Sequence, residues 1–247
     1  MAGRISVVII VKNGGNVIGR VLDSLTSFND IVVFDNGSMD NTEKVAKSYS
    51  NVNFVSGDFI GFGPTKIRAS EFAKNDWILS LDADEVASKE LIKSINSTAL
   101  KKDTVYQIFR KNYYKDTHIK HCWNNDKIVR LYNRKCTNFN DNKVHENVIS
   151  LGMNIVLLEG IVNHYPYRSI SDFIQKLDVY SSQYAQGNFG KKRSSPLKAV
   201  LNSCFSFFKT YFIKRGFLDG YAGLVIAFSH MATNFYKYIK LYELNNK

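Results

Sequence analysis

Short apolar runs alternate with polar segments of helical spacing along the first 95 residues. The apolar runs are ISVVIIV from residue 5, DIVVF from residue 30 and DWILSL from residue 76. Between them, NVIGRVLDSL and NTEKVAKSY repeat apolar positions at the three- and four-residue spacing of an amphipathic helix. This βαβ alternation predicts a mainly parallel sheet that is covered by helices on both faces, an α/β fold.

The pattern changes after residue 104. The runs TVYQIFRKNYY, KIVRLYNR and MNIVLLEGIVNHY are aromatic and β-rich, and they predict an added antiparallel or mixed sheet portion. Helical spacing returns in SISDFIQKLDVYSSQYAQ, and GNFGKKRSSP has the composition of a linker. We therefore predict one domain over residues 1–190, with halves 1–100 and 101–190, and a helical tail over 191–247.

The predicted tail is both basic and apolar. Residues 191–247 contain ten Lys or Arg against two acids, a net +8, whereas the whole chain has a net charge of +11. The longest interval without charge, between Asp219 and Lys237, holds 17 residues including Ser, His, Thr and Asn, which is short for a spanning helix. Helices rich in Phe, Tyr and Lys are typical of an anionic membrane surface. Packing on the main domain or a dimer interface would explain the same pattern.

Composition excludes several classes of protein. With 247 residues and 45% hydrophobic content, the chain is long enough to bury a core. The three cysteines form no CxxC pair, which argues against a disulfide framework or a four-cysteine zinc site and favours a reducing cytosol. The first apolar run is too short for a signal peptide. Charge alone would suit nucleic acid, but no recognition motif is present, so we expect no nucleic-acid partner.

Polar clusters follow the ends of the predicted strands, where ligands bind in parallel α/β sheets. They are KNGGN, DNGSMDNT and DADE. Asp82 and Asp84 are two positions apart, so alternation along a strand would point both carboxylates the same way. Hard oxygen ligands suit Mg²⁺ or Mn²⁺ and leave coordination positions for diphosphate oxygens. A solvated turn before a helix explains DADE equally well.

The second cluster begins with Asp35, at the end of the run IVVF. A strand-end acid accepts hydrogen bonds from the hydroxyls of a nucleotide ribose in dinucleotide-binding folds. Either Asp40 or Asn41 is a candidate cap for the helix that follows.

Residues 5–95 contain, in order, the segments SVVIIVKNGGNVIGRVLDSL, DIVVFDNGSMDNT and TKIRASEFAKNDWILSLDADE. Together they resemble the nucleotide-binding half of family 2 glycosyltransferases with the GT-A fold. Further on, WNNDKIVRLYNR, KVHENV and HYPYRSISDFIQKLDVYS resemble a subgroup that adds sugars to the inner core of bacterial lipopolysaccharide, often glucose onto heptose. One departure is that Gly14 and Gly15 follow Asn13, where many relatives have an acid.

The resemblance implies a nucleotide-binding half (1–100) and an acceptor-binding half (101–190). Asp84 would be a ligand of Mn²⁺ or Mg²⁺, and Asp82 would contact the ribose or the metal, as in a DXD motif. The uracil or ribose of a UDP-sugar would be bound by Asp35, with Lys12, Asn13 and Lys66 nearby.

The remaining candidates lie in the acceptor-binding half. Glu146 is the first choice for the general base that takes the acceptor hydroxyl proton, and Asp141 is the second. His145 and His164 are candidates for completing the metal shell, or are structural histidines. The acceptor pocket would be lined by Trp123, Arg130 and Arg134, although Trp123 also suits a core and Arg130 an exposed strand.

These features together predict an inverting, metal-dependent glycosyltransferase that moves a sugar from a UDP-sugar to a lipid-linked saccharide acceptor. We expect it at the cytoplasmic face of the cytoplasmic membrane, as a peripheral protein. The alternatives are a glycosyltransferase of another surface polysaccharide, a nucleotidyltransferase, or a basic protein that binds membrane or nucleic acid without catalysis.

Overall fold

The computed structural model describes residues 4–123 and 126–246, so Asn124 and Asn125 of the WNND motif lie outside the described residues. The chain divides into two compact units. One comprises Met1–Lys111 and Asp126–His164, and the other comprises Asn112–Asn125 and Tyr165–Lys247.

Four parallel strands form the first part of the sheet in the first unit, in the order β3-β2-β1-β4. They are β1 (Ile5–Val11), β2 (Ile31–Asp35), β3 (Val52–Ser56) and β4 (Trp77–Asp82). The connecting helices are α1 (Ile18–Asp23), α2 (Thr42–Lys47) and α3 (Phe62–Glu71). The predicted βαβ alternation is confirmed.

The sheet continues with strands of mixed direction. These are β5 (Glu85–Ala87), β6 (Thr104–Tyr114), β7 (Thr117–His118), β8 (Asp126–Asn133) and β9 (Asn154–Tyr167), with α4 (Lys89–Ser97) between β5 and β6. β8 pairs antiparallel with β4 and with β6, β5 pairs antiparallel with β9, and β7 pairs with β6. The predicted mixed portion after residue 104 is therefore present.

Alternating residues of the central strand β1 pack into two apolar layers, one on each face of the sheet. Val7 and Ile9 of β1 are buried in a cluster that includes residues of α1, α2 and α4, whereas Val8 is buried with Ala69 of α3. Because successive side chains of a strand point to opposite faces, both faces of the sheet are covered by helices. This layering leaves the carboxyl ends of the strands for polar loops.

The second unit is mainly helical. It contains α5 (Ile170–Asn188), α6 (Pro196–Phe208), a π-helical turn (Lys209–Ile213), a 3₁₀ turn (Gly216–Asp219) and α7 (Gly220–Asn245). α7 packs on both α5 and α6. Across residues 4–123 and 126–246, no helix has the length and apolar character to cross a membrane. The boundary near residue 190 falls within this unit and stays a prediction.

Candidate active site

The loops after β1 and β2 are joined by hydrogen bonds. Asp35 is buried, and its Oδ2 accepts hydrogen bonds from the N–H groups of Gly37 (3.1 Å) and Ser38 (3.0 Å). The Asn13 N–H donates to Ser38 Oγ at 2.7 Å, and Asn13 Oδ1 accepts from the Met39 N–H at 2.8 Å. Asn13 adopts a left-handed conformation with φ of 52°. Asp35 and Asn13 thus shape this loop pair, and their nucleotide-binding role stays a prediction, as does that of the exposed Lys12.

A carboxylate from the second loop meets the glycine pair of the first. Asp40 Oδ2 accepts a hydrogen bond from the Gly15 N–H at 2.9 Å, and its Oδ1 accepts from the Thr42 N–H at 3.0 Å at the start of α2. Burial works against ionisation, but bonds from Thr42 and Gly15 lower the pKa of Asp40. A Cβ at position 15 would lie 1.8 Å from Asn41 Oδ1. The glycine therefore lets the two loops approach closely.

The acidic run after β4 forms a turn rather than a continued strand. β4 ends at Asp82, Ala83 and Asp84 form the turn, and Glu85 begins β5. Strand alternation therefore does not orient Asp84 as predicted, because alternation ends with the strand at Asp82. Asp82 and Asp84 instead meet different partners.

Lys66 of α3 bridges Asp82 and Glu146. Its Nζ lies 2.8 Å from Asp82 Oδ1 and 2.7 Å from Glu146 Oε1, and the side chain is only 2% exposed. A buried ammonium needs such partners, because an unpaired charge in the interior is strongly unfavourable. The structure therefore brings together the predicted base and a predicted ligand-binding acid that are 64 residues apart in the chain. Nucleotide binding by Lys66 stays a prediction.

Two arginines extend this bridge into a charge network of Asp126, Arg110, Glu85, Arg130, Asp82, Lys66 and Glu146. Arg130 Nη2 donates to Asp82 Oδ2 (2.6 Å) and to Glu85 Oε1 (2.8 Å). Arg110 contacts Glu85 (3.2 Å) and makes two bonds to Asp126. Burial favours the neutral form of Asp82, yet Arg130 and Lys66 hold its pKa well below the usual range. Burial opposes the charge of Arg130 too, but Asp82 and Glu85 raise its pKa.

Asp84 lies beside His164, with 3.5 Å between Asp84 Oδ1 and His164 Nε2. His164 is held in β9 directly opposite Glu85 of β5. One carboxylate and one imidazole are a donor set that Mn²⁺ accepts, whereas both oxygens of Asp82 already receive hydrogen bonds from cationic side chains. Within the described part of the chain, no group of three or more His, Cys, Asp or Glu is arranged for a metal. A cation here would need diphosphate or water oxygens as well.

A polar cavity of about 500 Å³ adjoins the charge network. Its wall includes Asp82, Arg130, His145 and Glu146, together with the amide of Gln107 from β6 and the polar side chains of Asn147 and Ser150, which follow Glu146. His145 is exposed and has a left-handed φ of 59°. Hydroxyl-rich ligands such as sugars suit a cavity with this lining. Metal ligation by His145 and by Asp82 stays a prediction.

The start of α3 anchors the loop that carries Glu146. The N–H groups of Phe62 and Gly63 donate to the carbonyls of Lys143 and Asn142, each at 3.0 Å. A Cβ on Gly63 would lie 2.1 Å from the Asn140 carbonyl oxygen, so only glycine permits this approach. The second candidate base, Asp141, is exposed on the same loop.

The other acceptor candidates occupy separate environments. The Arg134 guanidinium donates to the backbone carbonyls of Ser70 and Ala73, where α3 ends. Trp123 belongs to the second unit, where its ring centroid is 5.7 Å from that of Tyr167. Their acceptor-binding roles stay predictions, as does that of Arg130, whose guanidinium is buried against Asp82 and Glu85.

Glu85, Arg110 and Gly63 belong to this site but were not singled out from the sequence. Glu85 is fully buried and is the point at which both arginines meet. Its position directly after DAD makes it look like one more solvated acid. The Gly-rich GFGP segment was the available signal for Gly63, because glycines before a helix indicate a close backbone approach.

The family model described as "Glycosyl transferase family 2" matches residues 6–156. The chain belongs to that family. An uncharacterised glycosyltransferase of Rickettsia prowazekii is 31% identical over 260 residues, covering 99% of this chain and 88% of the relative. The lipopolysaccharide core biosynthesis glycosyltransferase LpsC of Rhizobium meliloti is 25% identical, covering 91% of this chain and 89% of LpsC.

Solved structures similar to this glycosyltransferase are more distant. S. aureus TarS is 17% identical with a TM-score of 0.47, covering 87% of this chain and 45% of TarS. Glucosyl-3-phosphoglycerate synthase from Mycobacterium tuberculosis, in complex with Mn²⁺, UDP and glucosyl-3-phosphoglycerate, is 24% identical with a TM-score of 0.36. That match covers 47% of this chain, and the chain spans under half of either solved protein. Family membership confirms the predicted GT-A fold and transferase class.

Proposed function

We propose that this glycosyltransferase transfers a sugar from a UDP-sugar to a saccharide acceptor of the lipopolysaccharide core type, with glucose and heptose as the first pair to test. The observation that supports this most is the Lys66 bridge, which holds Glu146 and Asp82 on the wall of one polar cavity. The general base and an acid that contacts the ribose or the metal of the donor must lie close together for a single displacement at a sugar carbon.

The residues on this wall can account for the proton and the leaving group of the proposed reaction. Glu146 accepts the proton of the acceptor hydroxyl while the acceptor oxygen attacks the anomeric carbon. The bond from that carbon to the β-phosphate oxygen breaks, its electron pair stays on the departing UDP, and the anomeric configuration inverts. Mn²⁺ or Mg²⁺, held by Asp84 and His164 together with diphosphate oxygens, would neutralise the charge on the departing diphosphate.

A nucleotide-sugar scan tests the donor. Because a ligand that binds only the folded chain raises its melting temperature, we expect UDP-glucose with Mn²⁺ to give the largest shift. Asp84→Asn should lose the Mn²⁺-dependent part of that shift, and Glu43→Gln, in an exposed ion pair with Lys47, should keep it. A wild-type melting temperature that no UDP-sugar moves would refute the donor assignment. Release of pyrophosphate instead of UDP during turnover would identify a nucleotidyltransferase.

A lipid-linked acceptor suits the outward face of α6. Its buried residues are the small Ala199 and Ser203, whereas its large apolar side chains point outward. Those exposed side chains, which we call the α6 stripe, are Leu197, Val200, Leu201, Phe205 and Phe208. Lys198, Lys209, Lys214 and Arg215 lie in or just after the helix. An apolar stripe bordered by cations is typical of a helix that lies in the interface of an anionic membrane.

Substitutions in the stripe test membrane binding. We expect Leu201→Ser with Phe205→Ser to lower partitioning onto vesicles containing anionic lipid by roughly tenfold or more, because two large apolar groups would no longer be buried. Leu151→Ser is the matched control, since Leu151 is 94% exposed but belongs to the first unit. Equal partitioning of both variants would reject the stripe as the membrane contact.

A further inference from the structure

We infer that Glu85 is a positioning residue of the active site, which fixes Asp82 and the turn that presents Asp84. This inference rests on the proposed function for its catalytic meaning, but its structural part is tested without any ligand. Glu85 has no exposed surface and lies at the start of β5, one residue after the Asp82–Asp84 motif.

Both oxygens of Glu85 act as hydrogen-bond acceptors. Oε1 accepts from Arg130 (2.8 Å) and from Arg110 (3.2 Å), and Oε2 accepts from the Asp82 backbone N–H (3.0 Å). Oε2 of the carboxylate therefore closes the turn through the Asp82 N–H, while Oε1 binds two guanidinium groups. A glutamine has one acceptor oxygen and one NH₂ donor, so its oxygen stays with the two guanidinium groups and its NH₂ opposes the Asp82 N–H.

Glu85 also acts on Asp82 through Arg130. The Nη2 atom of Arg130 donates to both Glu85 and Asp82, and the Arg130 side chain is only 7% exposed. The buried Arg130 Nε has no hydrogen-bond partner within the described residues, so the two carboxylates are the groups that fix this guanidinium. If Glu85 loses its charge, its hydrogen bond to Arg130 weakens, and the carboxylate of Asp82 is free to shift with that guanidinium.

A shift of Asp82 also affects the position of Glu146. Asp82 Oδ1 and Glu146 Oε1 share the ammonium of Lys66, which contacts both within 2.8 Å. Glu85 touches none of the reacting groups in the proposed reaction. It holds the arrangement of those groups, as second-layer partners do around metal ligands.

Amide hydrogen exchange in the ligand-free protein tests the structural part. Glu85→Gln should speed exchange of the Asp82 amide by about tenfold or more, because that N–H loses a charged acceptor. Asp30→Asn is the matched control: Asp30 is also buried, and its Oδ2 accepts the Lys74 N–H at 2.8 Å. It should speed exchange at Lys74 and leave Asp82 unchanged. Unchanged exchange at Asp82 in Glu85→Gln overturns the inference.

Donor binding and turnover test the catalytic part. For Glu85→Gln we expect kcat to fall by roughly 10- to 100-fold, with a smaller thermal shift from UDP-glucose and Mn²⁺. Asp30→Asn also removes the charge of a buried carboxylate, and it should keep both donor shift and kcat. Faster Asp82 exchange with wild-type kcat and donor shift would overturn the positioning role. If the wild type itself shows no donor shift, the proposed function fails while the exchange result still decides the structural part.

Arg110→Gln is the second variant for the hydrogen-exchange test, to be used if Glu85→Gln does not fold. Arg110 is about one-fifth exposed and reaches Glu85 from the side of Asp126, so its loss perturbs Glu85 more gently. The same Asp82 amide should exchange faster than in the wild type but by a smaller factor. No change at that amide would contradict the inference.

Discussion

At the scale of single residues, the two candidate bases have different surroundings. Glu146 is largely buried on the cavity wall and bound to Lys66, whereas Asp141 is exposed in the same loop. A general base must lie within hydrogen-bond reach of the proton it removes and must be held there. The environment of Glu146 meets the second requirement.

Exchanging each acid for its amide separates the two candidates. Glu146→Gln should lower kcat by roughly 10²- to 10⁴-fold with little change in the KM for the donor, since an amide accepts no proton at neutral pH. Asp141→Asn should stay within a few-fold of wild type. Steady-state kinetics with UDP-glucose and a heptose acceptor measure both, and the opposite ranking would assign the base to Asp141.

At the scale of elements, α3 has two functions in the first unit. Lys66 points from it into the charge network, and its first N–H groups bind the loop that carries Glu146. The helix therefore sets the distance between Glu146 and the turn after β4. A substitution at the glycine-rich start of α3 should displace Glu146 without replacing any charged side chain.

Two Gly→Ala substitutions in helices test this role of α3. Gly63→Ala should destabilise the protein and lower kcat, because its Cβ would press on the backbone carbonyl of Asn140 and push the Glu146 loop away. Gly187→Ala in α5 meets nothing within 4 Å and should stabilise by about 0.5–1 kcal/mol without kinetic effect. Chemical denaturation and kcat together distinguish the outcomes. A Gly63→Ala enzyme with wild-type kcat would contradict the role.

The sequence predicts the elements better than it predicts their contacts. β-branched runs identify β1, β2 and β4 because those strands are buried and long enough to give a pattern. The three-residue β5 has no readable period, and β3 at the sheet edge is only partly buried. The Lys66–Glu146 pair joins residues 80 apart. No local pattern contains such a pair, so its residues were identified but their contact was not.

At the scale of the whole molecule, each compact unit contains one of the two tryptophans. Trp77 lies in the first unit and Trp123 in the second. Because replacing one leaves the other as the fluorescent reporter, the unfolding of each unit can be followed separately. This matters because two units need not unfold in one transition.

The second unit contains a histidine that should make its stability depend on pH. Desolvation, and then the charge of Lys214, lower the pKa of His230 to about 4 from an ordinary 6.5. As pH falls below about 6.5, His230 is protonated in the unfolded chain but stays neutral in the folded chain. The stability that this difference contributes is therefore complete above pH 6.5 and is lost progressively down to pH 4. Between pH 7.5 and pH 5 the expected loss is about 2 kcal/mol.

His230→Gln should remove that loss. In a Trp77→Phe background, denaturant unfolding followed through Trp123 should show a smaller drop from pH 7.5 to pH 5 with Gln at position 230 than with His, because Gln does not titrate. In a Trp123→Phe background, Trp77 reports the first unit, and if that unit unfolds in a separate transition the His230 substitution should leave its pH dependence unchanged. Equal pH dependence with His and with Gln in the Trp77→Phe background would show that His230 is protonated alike in the folded and unfolded chains. A neutral His230 in the folded chain would then be refuted.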